Sequence, residues 1–485
     1  MTSTAPGLEA DAPHLCPALA PASDQAGHIE ARGIDHIPER ERHGRPRELF
    51  SVWAAANVNY LCLVIGGALI LMGLTLWQAF AVIVAGNLFW ALAGLLAVSG
   101  PASGTPSSVI TRTMYGIRGN RVNTAITGWA ICLCYVSLNL SAAAIAAFSL
   151  IQKAGIEPNT GVKTVTVVAI AALTLAISVY GHALIVKLYL PITLVLVAVF
   201  AVVGISVLRH AHWDYTPAAR LHGGALWAAL LGGFALIASG PLSFNNGADF
   251  ARYLPPTTSA KKVAWWTASG GFLPSVVVTA LGTPAATAID MTDPQSALEG
   301  ILPGWFTPLF LLALIVGTIA INAMTSYSSG LALQSVWVRI GRSLNVVVYG
   351  LLAVALTLYA LLVSDFLHTV SNVLQLTVVL IGPGMTIYAT DILLRRNRYD
   401  GPALSDETPG GTYWYTAGVN RAGVTALATG TAASVLCVST ELYVGPLARA
   451  AGGLDLALPA GMAIAATVYA FGMRRRLAAP ARRPR

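Results

Sequence analysis

Twelve times between Phe50 and Met473 the chain runs through about twenty mostly apolar residues before a short polar break. The runs are 50–74, 77–98, 121–150, 163–180, 183–208, 224–248, 263–283, 306–336, 344–363, 366–394, 420–442 and 455–473. About twenty apolar residues in a helix cross the hydrocarbon of a bilayer. Lipid offers no hydrogen bonds, so a spanning backbone must be a helix or a closed barrel. The runs are continuous rather than alternating, which excludes a barrel. The sequence therefore predicts an all-α membrane protein with 12 transmembrane helices. Composition agrees: 55% of residues are hydrophobic and 10% charged, against about 25% charged in soluble chains. That excludes a soluble enzyme, a disordered protein and a nucleic-acid binder.

The few charges report orientation. With the N-terminus inside, 24 of the 29 Lys and Arg fall on inner segments and five (Lys153, Lys163, Arg209, Arg220, Arg449) outside. Positive charge is retained on the cytoplasmic face, so both termini are expected in the cytoplasm and the chain in the cytoplasmic (inner) membrane. Residues 1–49 are polar and lack the apolar core of a signal peptide; they read as a largely disordered cytoplasmic tail. Residues 474–485 read as a basic cytoplasmic tail. The almost loopless join of 163–180 to 183–208 predicts a hairpin, and 121–150 and 306–336 are long enough to tilt.

Irregular backbone inside a membrane is tolerated where it lines a cavity, so helix interruptions point to a binding site. Two runs are interrupted. In the first, Asn57, Asn59 and Tyr60 follow Trp53; in the sixth, Ser239-Gly240-Pro241 precedes Ser243, Asn245, Asn246 and Gly247. Pro241 lacks an N–H and breaks a helix. Breaks in spans one and six occupy matching positions if 50–208 and 224–394 are two five-helix repeats, with 420–473 as two peripheral helices. The competing reading is that Gly and Pro are common in membrane helices.

Other polar residues carry two readings each. Asn322, with Ser326 a turn later, suits the edge of a heterocycle or glues two helices. Trp129 stacks on a planar ligand or anchors at the interface; Tyr135 lies on the same run. Asn372 and Gln375 share a helix face and read as gate or helix contact. Asp249 and Arg252, three apart, suit a local ion pair with a gating role. Cys132 and Cys134 read as packing residues, and no Cys/His cluster suggests a metal. G-x-x-x-x-G-K-[ST], H-E-x-x-H and G-x-S-x-G are absent, so no enzyme activity and no cofactor is expected.

Several segments carry a family resemblance. Gly247-Ala248-Asp249-Phe250-Ala251-Arg252-Tyr253-Leu254-Pro255 resembles the D-[FY]-[TSA]-R-Y motif closing the sixth helix of the nucleobase–cation symporter-1 family. Gly33-Ile34 and Pro38-Glu39-Arg40 ahead of Phe50, Trp53 and Asn57 are similar to that family's entry into helix one. Gly104-Thr105-Pro106 with Arg112 and Tyr115 to Gly119, Asn322 to Gly330, and Asp391 to Asn420 resemble its loop 2–3, helix eight and its connection from helix ten to eleven. The resemblance covers about residues 30–475, in order.

It implies a leucine-transporter-like 5+5 inverted repeat with broken helices 1 and 6 and alternating access around helices one, three, six and eight. Expected substrates are purines, cytosine, allantoin, hydantoins or vitamins. Carried onto this chain, it makes Trp129 the stacking aromatic and Asn322 the partner of the ligand's polar edge. Gly240 stands where many members have an aromatic, which moves a second wall to Phe244 or Tyr135. On helix eight, Ala320 and Ile321 stand where sodium-coupled members have hydroxyls, so a proton is preferred over sodium. The reading is a cation-coupled importer in the lipid bilayer, its substrate site built from Asn57, Asn59, Tyr60, Trp129, Ser239, Gly240, Phe244, Asn246, Asn322 and Ser326. Its alternative is a channel or a non-transporting sensor of the same ligands.

Overall fold

The computed structural model describes residues 24–30, 32–291, 294–336, 342–363, 366–440 and 442–477, with side chains except at 342, 343, 362, 363, 366–376, 475 and 477. Among the described residues the regular structure is helical; β pairing is confined to two isolated bridges, Thr416 with Val419 and Ser439 with Val444. The long helices follow the apolar runs. They are α1 (Glu48–Asn57), α2 (Tyr60–Leu71), α3 (Leu76–Ser103), α4 (Arg112–Lys153), α5 (Thr160–Tyr180), α6 (His182–His210), α7 (Gly223–Ser243) and α8 (Gly247–Ala251). They continue as α9 (Ala260–Ala288), α10 (Thr307–Ser335), α11 (Arg342–Val363), α12 (Phe366–Arg395), α13 (Arg421–Cys437) and α14 (Ala457–Leu477). Nine described helices are long and apolar enough to cross a membrane, or up to ten with α1 and α2 counted as one bent span. α13 and α14 stand at the eleventh and twelfth runs, pack on each other and rest against α12. Gly181 closes the expected hairpin between α5 and α6 with φ 89°.

Packing sorts the spans into two groups. α2 and α1 pack on α9, as does α3, while α7 packs on α3; these are spans one, two, six and seven. α4 packs on α10 and α11, and α5 on α10; these are spans three, four, eight and nine. Each group joins span n to span n+5, the arrangement that two five-helix repeats produce. Close approach within the first group requires glycine: a Cβ on Gly66 would lie 1.9 Å from the Thr279 carbonyl, and one on Gly282 2.0 Å from that of Leu63. Small residues at such crossings let helix backbones touch where lipid gives no hydrophobic drive. Large apolar side chains such as Trp77, Val165 and Leu351 are exposed on the outside, where hydrocarbon is their solvent.

Two expectations change. Residues 24–30 and 32–49 are folded against one end of the bundle, not disordered. The Ile37 amide donates to Gly104, that of His43 to Tyr253 and that of Glu30 to Tyr180. Asp24 accepts from the Ala183 amide and lies 2.6 Å from His182 Nδ1. Burial pushes the Asp24 carboxyl up, but the bond and charge of His182, the charge of His43 and the Ala183 amide outweigh it and hold it below the usual aspartate range. Polar composition suggested disorder because these partners lie on distant loops.

The second change concerns Asp249 and Arg252, which do not pair. Asp249 accepts from the Ser107 amide at 2.7 Å. Arg252 reaches Glu30 at 2.8 Å, the Gly33 carbonyl and the Tyr327 hydroxyl. A folded-back N-terminal segment supplied the competing carboxylate.

Candidate functional site

Both predicted interruptions are present, and one is displaced. α1 and α2 meet at 56°. Asn59 adopts an extended backbone, caps α2 by accepting from the Cys62 amide at 3.1 Å, and donates to the Ala56 carbonyl at 2.7 Å. An Asn at that position satisfies donors that a helix start leaves open. In the sixth span, α7 runs through Pro241 to Ser243, and the break falls at Phe244–Asn246. Proline deletes the bond of its own N–H, yet the turn closes when the Phe244 amide bonds the Pro241 carbonyl at 3.3 Å.

A cavity lies between the two breaks. Asn57, Asn59, Ser239, Gly240, Phe244 and Asn246 line it. None of its described lining residues is charged. Asn57 is committed elsewhere: it donates to the Trp53 carbonyl at 2.7 Å and accepts from Ser275 at 2.9 Å. It ties the break to α9. Asn246 donates to Ser328 at 2.8 Å, and its amide oxygen is buried without a partner. A Cβ on Gly240 would meet nothing within 4 Å. Phe244 forms an aromatic wall, stacked on Trp90 at 5.3 Å and edge-on to Trp53 at 5.3 Å.

Helix three meets the cavity through Cys132, Tyr135 and Asn139, three and seven residues along one face. Tyr135, one of the two candidates for a second wall, lines the cavity, with its hydroxyl 2.9 Å from Thr377. Cys132, read as packing, is also on the surface. Trp129 is not. It lies in a wide π turn, Ala125–Ala130, and packs against Tyr349 of α11, ring centroids 6.2 Å apart. A π turn carries an extra residue and shifts the register of the helix face, which the residue pattern does not announce.

Asn322 is off the lining as well. It accepts from Asn139 at 3.2 Å and donates to the Val136 carbonyl at 3.0 Å, which is the gluing alternative; α10 instead presents Ile321 and Thr325. Ser326 is buried and outside the lining, and Tyr60 packs into the cluster around Leu63 and Phe200. The side chains of Asn372 and Gln375 lie outside the described residues. Helical spacing from Tyr135 and Asn139 was the available signal for the true face.

A separate prediction follows for the two amides. Asn322→Ala is expected to lower thermal stability by about 1–3 kcal/mol, because buried partners lose their bonds, and to leave residual uptake. Asn139→Ala is expected to weaken apparent affinity more and stability less. Melting curves and uptake on both variants check this; the reverse ranking would return Asn322 to ligand contact.

A second cavity, about 610 Å³, lies toward the end covered by the N-terminal segment and is lined by Ser107, Ser108, Asn123, Asp249 and Tyr388 among others. It shares Cys132 and Asn246 with the first.

Residues 36–461 match the family model described as permease for cytosine/purines, uracil, thiamine, allantoin. The chain belongs to this permease family. It is 26% identical over 460 residues, 93% of this chain and 97% of the relative, to the putative purine-cytosine permease YxlA of Bacillus subtilis (strain 168). Its fold is similar to that of Mhp1, a nucleobase-cation-symport-1 family transporter, in a closed conformation with bromovinylhydantoin bound: TM-score 0.72 and 17% identity over 94% of this chain and 96% of that one. The inward-facing form of Mhp1 gives a TM-score of 0.69 and 18% identity, covering 93% and 95%. A manganese transporter mutant from Eremococcus coleocola gives 0.53 and 14%, covering 94% and 100%. One architecture thus serves organic and metal cargo, and the site decides between them. The chain is a multi-pass membrane permease with the fold of the Mhp1 transporter.

Proposed function

We propose that this permease imports a neutral, planar nitrogen heterocycle of the nucleobase class: a purine, cytosine, allantoin, hydantoin or vitamin. The observation that carries this is the central cavity, with aromatic walls at Phe244 and Tyr135, amides at Asn139 and Asn246, and no charge among its described lining residues. A flat ring stacks on aromatic faces, and amides pair with both donors and acceptors at its edge. An anion or metal ion would find no opposite charge there.

Coupling is to a proton rather than sodium. Ala320 and Ile321 bring no side-chain oxygen, and the Ala320 carbonyl already accepts the Tyr189 hydroxyl; a hard cation needs several free oxygens. The lysine and arginine distribution supports an orientation with both ends in the cytoplasm, in the inner membrane.

Uptake by proteoliposomes, screened over purines, pyrimidines, hydantoins and thiamine, tests the reading. An inward proton gradient should drive accumulation in sodium-free buffer, and a protonophore should abolish it. Accumulation that requires sodium and ignores protonophore would overturn the coupling. Flux without accumulation would identify a channel, and binding without flux a sensor.

A further inference from the structure

The second cavity has no role in the reading above. We infer that it is a binding site in its own right, a station for the transported molecule between the central site and the cytoplasm, selective for rings rich in N–H donors. The inference rests on the transport reading and adds a second point of selection to it.

The lining includes several acceptors without a donor of their own. Asp249 offers a carboxylate that is buried and engaged by the neutral Ser107 amide. Arg252, one turn away, is drawn off to Glu30. Asn123 and Asn246 line the same cavity, and their amide oxygens are buried without a partner. The Ser108 hydroxyl is likewise buried without one. Buried acceptors left unmet are costly, and native structures rarely keep several together. A ligand with amino, amidine or ring N–H groups meets all of them, while Tyr115 and Tyr388 supply ring surface.

The two cavities differ in charge. The central lining is neutral, whereas Asp249 adds a carboxylate to the second. The first therefore sorts by shape and stacking, and the second rejects anionic heterocycles and favours donors. Asn246 lines both cavities, with its amide nitrogen tied to Ser328 and its oxygen unpartnered, and so is placed to pass a ligand from one to the other. Ordered water is the competing occupant, and it predicts a single ligand per chain.

Equilibrium binding to the purified full chain in nanodiscs, with radiolabelled cytosine and hypoxanthine as probes, decides between them. Two molecules per chain are expected in wild type. Asn123→Ala, a partly exposed site that leaves packing intact, should bind one, and Asp249→Asn should weaken the second molecule about tenfold, a change of about 1.4 kcal/mol. One molecule per chain in wild type would overturn the station and leave the central site standing. Two molecules bound with unchanged affinity in both variants would also overturn it, by placing the second elsewhere. Failure of both probes to bind wild type would overturn the substrate class and the station together.

Discussion

Replacing Gly240 by tryptophan is expected to bring uptake to background while the purified protein melts as wild type does. Gly240 lies one turn before the break in the sixth span and lines the central cavity. A Cβ there meets open space, so the indole enters the cavity without displacing backbone. It takes the room against Phe244 and Tyr135 that a stacked ring would use. Loss of that contact and of the amide bonds amounts to at least about 2.8 kcal/mol, a hundredfold in affinity. Gly240→Ala is the control: a methyl group leaves most of the space, and alanine is the better helix former by about 1 kcal/mol. Near-normal uptake in Gly240→Ala with none in Gly240→Trp is the expected pair of results. Uptake above half of wild type in the tryptophan variant would move the substrate out of this cavity.

Arg252→Ala is expected to be the most damaging single change outside the cavity. The guanidinium is 0% exposed and its partner Glu30 1%. It also bonds the Gly33 carbonyl and Tyr327, and Glu30 in turn accepts from the hydroxyls of Tyr253 and Tyr327. Removing one member of a buried pair leaves the other charge uncompensated and costs about 3–5 kcal/mol. The pair also fastens the N-terminal segment to the end of the sixth span and to α10. The variant should therefore show a lower melting temperature, faster proteolysis within residues 24–43 and loss of uptake. Arg252→Lys should recover part of the stability, because an ammonium keeps the charge but not the planar fork. Glu30→Ala combined with Arg252→Ala should be less destabilised than Arg252→Ala alone. A double variant destabilised by the sum of the two single changes would show that the two charges are not coupled.

The architecture was legible because lipid leaves so few choices. Each span must satisfy its own backbone, so run length and continuity marked the helices, and the same constraint made Asn57-Val58-Asn59 and the stretch after Ser239 stand out. In the sixth span the chain closed one more turn beyond Pro241, and the break moved to Phe244–Asn246. Six of the fifteen described lining residues were named from these breaks alone. Their polarity without charge also pointed to a neutral ligand.

Which way a helix faces was another matter. Its rotation is set by the neighbours it packs against, and the third span carries a π turn that shifts its register. Trp129 therefore went to Tyr349, Asn322 to Asn139, and Tyr135 to the cavity. The partner of Arg252 was hidden for a similar reason: Glu30 is 222 residues away in the chain, and no local pattern records that contact. The sequence by itself determined the spans, their breaks and the neutral character of the site, because each follows from local backbone chemistry in lipid. Only the tertiary structure decided which side chains meet the cavity and which charges meet each other, because those depend on packing between distant segments.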